Sequence, residues 1–154
     1  MDASELRIVG DPYCHVLTFL DSAGLERSED QRQDLAAMGS SAQAGIARYG
    51  VGSPLELTLA APNFDSFIYV DYFSSDGKVH HLLPADRPDN RFAADQKVRI
   101  GADQGRGRRA VIGPPFGLDL IVAVASSEPL YLGARPAIEG AADYLASLEA
   151  SIRS

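Results

Sequence analysis

Phe67-Ile68-Tyr69-Val70-Asp71-Tyr72-Phe73 and Lys78-Val79-His80-His81-Leu82-Leu83 stand on either side of Asp76-Gly77. Both runs are rich in aromatic, β-branched and other apolar residues, which suit a pleated, half-buried surface. An Asp-Gly pair between two such runs is a hairpin signal, because glycine takes positive φ there without steric cost. The sequence therefore predicts an antiparallel hairpin pairing 68–73 with 78–83, ended by Pro84.

Outward from the hairpin the β pattern continues. Leu55, Leu57 and Leu59 alternate with Glu56 and Thr58, and Gln96 to Ile100 alternates again. Arg108 to Ile112 reads as a further strand. Leu120 to Ala125 is a continuous apolar run, expected of a central strand buried on both faces. Upstream, Glu5 to Val9 reads as a short strand. Asp11-Pro12 reads as a helix start, followed by Val16, Leu17, Phe19 and Leu20 at helical spacing. Weaker strand patterns lie near 35–38 and 46–49. Downstream, Ile138, Ala142, Tyr144, Leu145, Leu148 and Ile152 form a helical stripe. The expected fold is mainly β: an antiparallel β-sandwich, jelly-roll or immunoglobulin-like, with an N-terminal and a C-terminal helix. It forms one domain over 1–154, with a strand–helix extension at 1–34, a β core at 35–132 and a helix at 136–154.

Composition narrows the function. The chain has 154 residues, 45% of them hydrophobic and 23% charged, as in an ordinary globular domain. Its net charge of -7 argues against nucleic acid as a partner. No apolar run approaches the ~18–20 residues of a membrane span. One cysteine cannot form an internal disulfide or a Cys-rich zinc site. Met1 to Ile8 lacks the basic-then-apolar pattern of a signal peptide.

Several residues invite a chemical reading. Cys14 and His15 are adjacent on the expected first helix and diverge by about 100°, so they cannot serve one another as nucleophile and base; Cys14 is expected to pack as a small buried hydrophobe. His80 and His81 are consecutive on a strand and point to opposite faces, so they cannot share a metal, and no cofactor is expected. Asp65 and Asp76 suit turns, whereas Asp71 interrupts an aromatic strand beside Tyr69 and Tyr72. It reads either as a residue on an exposed strand face or as part of a ligand site made of Tyr69, Asp71 and Tyr72. Between residues 87 and 109 seven basic residues face three acidic ones, a local +4 that leaves -11 elsewhere. Arg87, Arg91, Arg106, Arg108 and Arg109 are the candidate contacts for an anion or an acidic partner. No nucleophile elbow, zinc-binding HExxH, kinase signature or nucleotide-binding glycine pattern occurs, so no catalytic residue is assigned.

The order of anchors resembles that of an uncharacterised bacterial β-domain family. These anchors are Tyr49-x-x-Gly52-x-x-Leu55-x-Leu57, the Phe67–Phe73 strand, and Asp76-Gly77-Lys78-Val79-His80-His81-Leu82-Leu83-Pro84. Asn90, Gly113-Pro114-Pro115-Phe116-Gly117 and the 120–126 strand follow. Such domains occur as C-terminal modules of serine/threonine protein kinases and caspase-like proteases, and in lipoproteins. The resemblance covers about 80 residues and implies a non-catalytic accessory domain. It implies an extracytoplasmic position if the chain is the tail of a membrane-anchored kinase, and a cytoplasmic one otherwise.

The expected function is a non-enzymatic module for protein interaction or ligand sensing, within a larger signalling or envelope protein. A small-ligand or carbohydrate-binding domain is the alternative, and a hydrolase with an unrecognised site is a third.

Overall fold

The computed structural model describes residues 13–22, 51–52, 54–85, 89–101, 106–111, 113–114 and 119–153. The strands and helix start expected at 5–9, 11–12, 35–38 and 46–49, and Arg87, lie outside them. The described elements are α1 (Tyr13–Ser22), β1 (Leu57–Ala60), β2 (Ser66–Phe73), β3 (Lys78–Leu83), β4 (Arg91–Phe92), β5 (Lys97–Ile100), β6 (Leu120–Ser126), β7 (Ile138–Gly140) and α2 (Ala141–Arg153).

The hairpin forms as the sequence predicts. Phe73 pairs with Val79, Tyr72 with His80 and Asp71 with His81. At the tip Gly77 N donates to Ser74 O at 3.1 Å and Ser74 N to Lys78 O at 2.9 Å, with Gly77 at φ +81°. The register then shifts, and Val70 pairs with Leu83. This bulge leaves Leu82 as an extra residue, so Leu82 and Leu83 both join the same apolar cluster.

β6 runs antiparallel along β2 from Phe67 to Phe73, while β3 and then β4 occupy the other edge of β2. β7 adds to β3 through three residue pairs. A separate ribbon pairs β1 with β5, Leu59 opposite Val98. The structure is thus mainly β, with antiparallel sheets, one of them curled into a half-barrel, and a C-terminal helix.

Strand alternation divides the apolar residues into two cores. Ile68, Val70, Leu82, Leu83 and Phe92 meet Leu55, Leu59, Val98 and Ile100 of the ribbon side. On the opposite face Phe73 and Val79 meet Val16 and Phe19 of α1 and Ala141, Tyr144, Leu145 and Leu148 of α2. The first helical N–H of α2, on Ala141, donates to Gly77 O at 2.9 Å, so the hairpin tip caps the helix start.

Four local readings are corrected. Ile138–Gly140 is a strand, and the helix begins only at Ala141; Ile138 pairs opposite His80 and is half exposed. β6 pairs only with β2 among the described strands and is half-buried, because nothing described covers its other edge. Residues 108–111 make an isolated bridge, Val111 with Pro54, in place of a strand. Cys14 is exposed, since the buried stripe of α1 passes through Val16 and Phe19.

Candidate functional site

Asp71 is buried, 6% exposed, against the expectation of an exposed strand face. Alternation on β2 sends Tyr69, Asp71 and Phe73 toward the helices and Ile68, Val70 and Tyr72 toward the ribbon. On β3 the same alternation turns His81 to the helix side opposite Asp71, while His80 faces away. His80 rests edge-on against Tyr72, ring centroids 5.7 Å apart. Burial, the largest influence on His80, lowers its pKa below the ordinary histidine value.

A chain of charge-assisted bonds centres on His81. Its Nδ1 lies 2.7 Å from Asp71 Oδ1 and its Nε2 lies 2.7 Å from Glu139 Oε2. Between two carboxyl groups the doubly protonated ring, which donates from both nitrogens, is the favoured form. Burial alone pushes His81 toward neutrality; the hydrogen bonds and charges of Asp71 and Glu139 outweigh it and raise its pKa. The other Asp71 oxygen accepts from the Tyr144 hydroxyl at 2.6 Å. Arg135 grips Glu139 with two donors, Nε to Oε2 at 2.8 Å and Nη2 to Oε1 at 2.7 Å. The Arg135 guanidinium also lies 5.3 Å from the Tyr131 ring centre and 5.1 Å from that of Tyr144. Hydrogen bonding to Arg135 is the largest cause that holds Glu139 below the usual carboxyl range. Desolvation pushes the Tyr131 and Tyr144 hydroxyls far above the usual tyrosine range, so both stay protonated.

Neither ring nitrogen of His81 is turned to open space in this network. A catalytic histidine needs one nitrogen open to substrate, and both nitrogens of His81 are held by carboxylates. Two carboxylates and two cations balance in a part-buried cluster that joins β2, β3, β7 and α2, with Asp71 and His81 its buried members. The sequence reading found Asp71 but none of its partners; His81 inside an apolar run, paired across the hairpin from Asp71, was the available signal.

The other expected ligand residues are also engaged internally. The Tyr69 hydroxyl accepts from Leu130 N at 3.0 Å, and its ring lies 5.2 Å from that of Tyr131. The Tyr72 hydroxyl donates to Asp119, which also accepts from Ser75 N at 3.0 Å. Tyr69 and Asp71 therefore share a face, and Tyr72 lies on the other.

The described candidate arginines lie on β4 and on the 106–109 segment. Arg91 is exposed in β4, next to Phe92. Arg106 is exposed and places its guanidinium 5.8 Å from the Phe92 ring centre. Arg106 N donates to Arg99 O at 2.7 Å and Arg108 N to Leu82 O at 2.6 Å, which fixes the 106–108 segment between β5 and the bulge of β3. Arg108 is half-buried and Arg109 exposed. Lys97 and Arg99 point outward from β5. Among the described residues no group of three or more His, Cys, Asp or Glu side chains could hold a metal ion, and no helix is long and apolar enough to cross a membrane.

No curated protein and no solved structure matches the chain. The hairpin, the bulge and the β6 strand all lie within residues 48–129, which match the family model described as Domain of unknown function (DUF4384). That stretch is more than half of the chain, which therefore belongs to this family.

Proposed function

We propose that the domain is a non-enzymatic interaction module that docks an acidic protein surface through Arg91, Arg106 and Arg109. The observation that supports this most directly is the Arg106 guanidinium over the Phe92 ring of β4, the strand that also carries the exposed Arg91. It presents cations from a paired β frame in a chain that is otherwise strongly acidic. Complementary charge of this kind speeds encounter and selects partners. The occupied state of Asp71, His81 and Glu139 also favours binding over catalysis. The resemblance to modules of kinases and lipoproteins favours a place within a larger signalling or envelope protein.

The test uses a fluorescent polyglutamate peptide as the acidic probe. Binding should weaken as salt is raised, and the triple variant Arg91→Glu, Arg106→Glu, Arg109→Glu should abolish it. Stability should change little, because exposed charges contribute weakly to folding. Arg108 is left intact because it is half-buried. Unchanged polyglutamate binding by the triple variant overturns the reading.

A further inference from the structure

The family match ends at residue 129, whereas Arg135, Glu139 and Tyr144, which close the buried network, all lie after it. The C-terminal segment thus supplies half of the charge cluster and covers the sheet face carrying Asp71, Phe73, Val79 and His81. We infer that β7 and α2 form a latch held to this face by the charge on His81, and that discharging His81 frees the latch while the two-sheet core stays folded. The inference is independent of the arginine surface.

Three observations carry it. First, among the described residues His81 is the only cation between Asp71 of β2 and Glu139 of β7, at 2.7 Å from each. Tyr144 of α2 meets the His81 ring edge-on, centroids 4.6 Å apart, and bonds Asp71. Arg135 faces Glu139 from outside, Tyr131 flanks Arg135, and His80 is the neighbouring titratable group on β3. Without its proton the ring would turn a nitrogen lone pair toward a carboxylate oxygen in a site with little water. Second, the latch residues Ala141, Tyr144, Leu145 and Leu148 belong to one apolar cluster, and the two-sheet core is another. Separate clusters allow one unit to open without the other. Third, β7 holds β3 by three residue pairs, and a 13-residue helix is marginal in water by itself.

The sign follows from the raised His81 pKa. Stability contributed by the proton is fully present below the ordinary histidine value and is lost as pH rises through the raised value. The latch is closed in mild acid and opens on the alkaline side.

Amide hydrogen exchange of the full chain, corrected for intrinsic rates, reads the opening between about pH 6 and about pH 9.5, a range that brackets a raised histidine. Protection of 138–153 should fall by up to about tenfold per pH unit until His81 has titrated, then level off. Protection of 57–60 and 97–100 should hold. His81→Gln should leave 138–153 weakly protected at every pH. Should that variant not fold, Glu139→Gln removes one carboxylate, keeps the ring, and should move both the His81 midpoint, read by ring NMR, and the loss of protection to lower pH. Protection of 138–153 that stays flat while His81 titrates, or that falls together with 57–60 and 97–100, overturns the latch.

Discussion

The Tyr144 hydroxyl donates to Asp71 Oδ2 at 2.6 Å, joining residues 73 apart in the chain and tying α2 to the central strand. Asp71 keeps its His81 bond if this donor is removed, so Tyr144→Phe isolates a single contact. Hydrogen bonds to charged groups contribute about 1.5–3 kcal/mol. The variant should lose roughly that amount in urea unfolding, with α2 still packed on Phe73 through the retained ring. Identical unfolding midpoints for the two proteins would show that the hydroxyl contributes nothing.

Acid should loosen the same region from the other side. Arg135, then His81, hold Glu139 below the usual carboxyl range. A lowered carboxyl value contributes stability above its ordinary value, and that stability is lost as pH falls through the lowered one. Arg135→Gln removes the largest cause, so the acid-unfolding midpoint, followed by circular dichroism, should move to higher pH. Arg135 also packs on Tyr131 and Tyr144, which lowers stability at every pH; the midpoint pH is therefore the quantity that decides. An unmoved midpoint means Glu139 does not govern the acid limb.

The hairpin, the ribbon strands and both helices were legible because their signals are local: a turn glycine, alternation, a helical stripe. The bulge at Leu82 was not, since two adjacent leucines in an apolar run carry no mark of register. β7 was hidden for a related reason. Ile138-Glu139-Gly140 is too short to alternate convincingly, and pairing with β3 overrode the helical reading of Ile138. The buried network depends on residues from 71 to 144 that only tertiary folding brings together. The arginines were legible as a sequence cluster, but the seat of Arg106 over Phe92 required the chain path.

Metal removal should have no effect. His80 and His81 face opposite sides of β3, and both nitrogens of His81 are occupied by carboxylates. Dialysis against EDTA should leave the melting temperature unchanged. A drop of several degrees, restored by a divalent cation, would refute this.

Two glycines with nearly the same backbone angle should respond differently to a methyl group. Gly77 has φ +81° and open space where a Cβ would stand. Gly77→Ala therefore suffers only the left-handed backbone penalty of about 1–2 kcal/mol. Gly107 has φ +77°, but an added Cβ would overlap the Leu82 carbonyl oxygen and touch Ile100 Cγ2 at 3.4 Å. That carbonyl is the bulge acceptor for Arg108 N at 2.6 Å, so relieving the overlap must displace backbone on both sides. Backbone strain of this kind costs about 1–3 kcal/mol and the disturbed hydrogen bond about 1 more. Gly107→Ala should thus lose about 2–4 kcal/mol more than Gly77→Ala in urea unfolding, and it should disturb the seat of Arg106 over Phe92. Equal losses would mean that the 106–108 segment yields freely and does not hold the arginine surface against the β3 bulge.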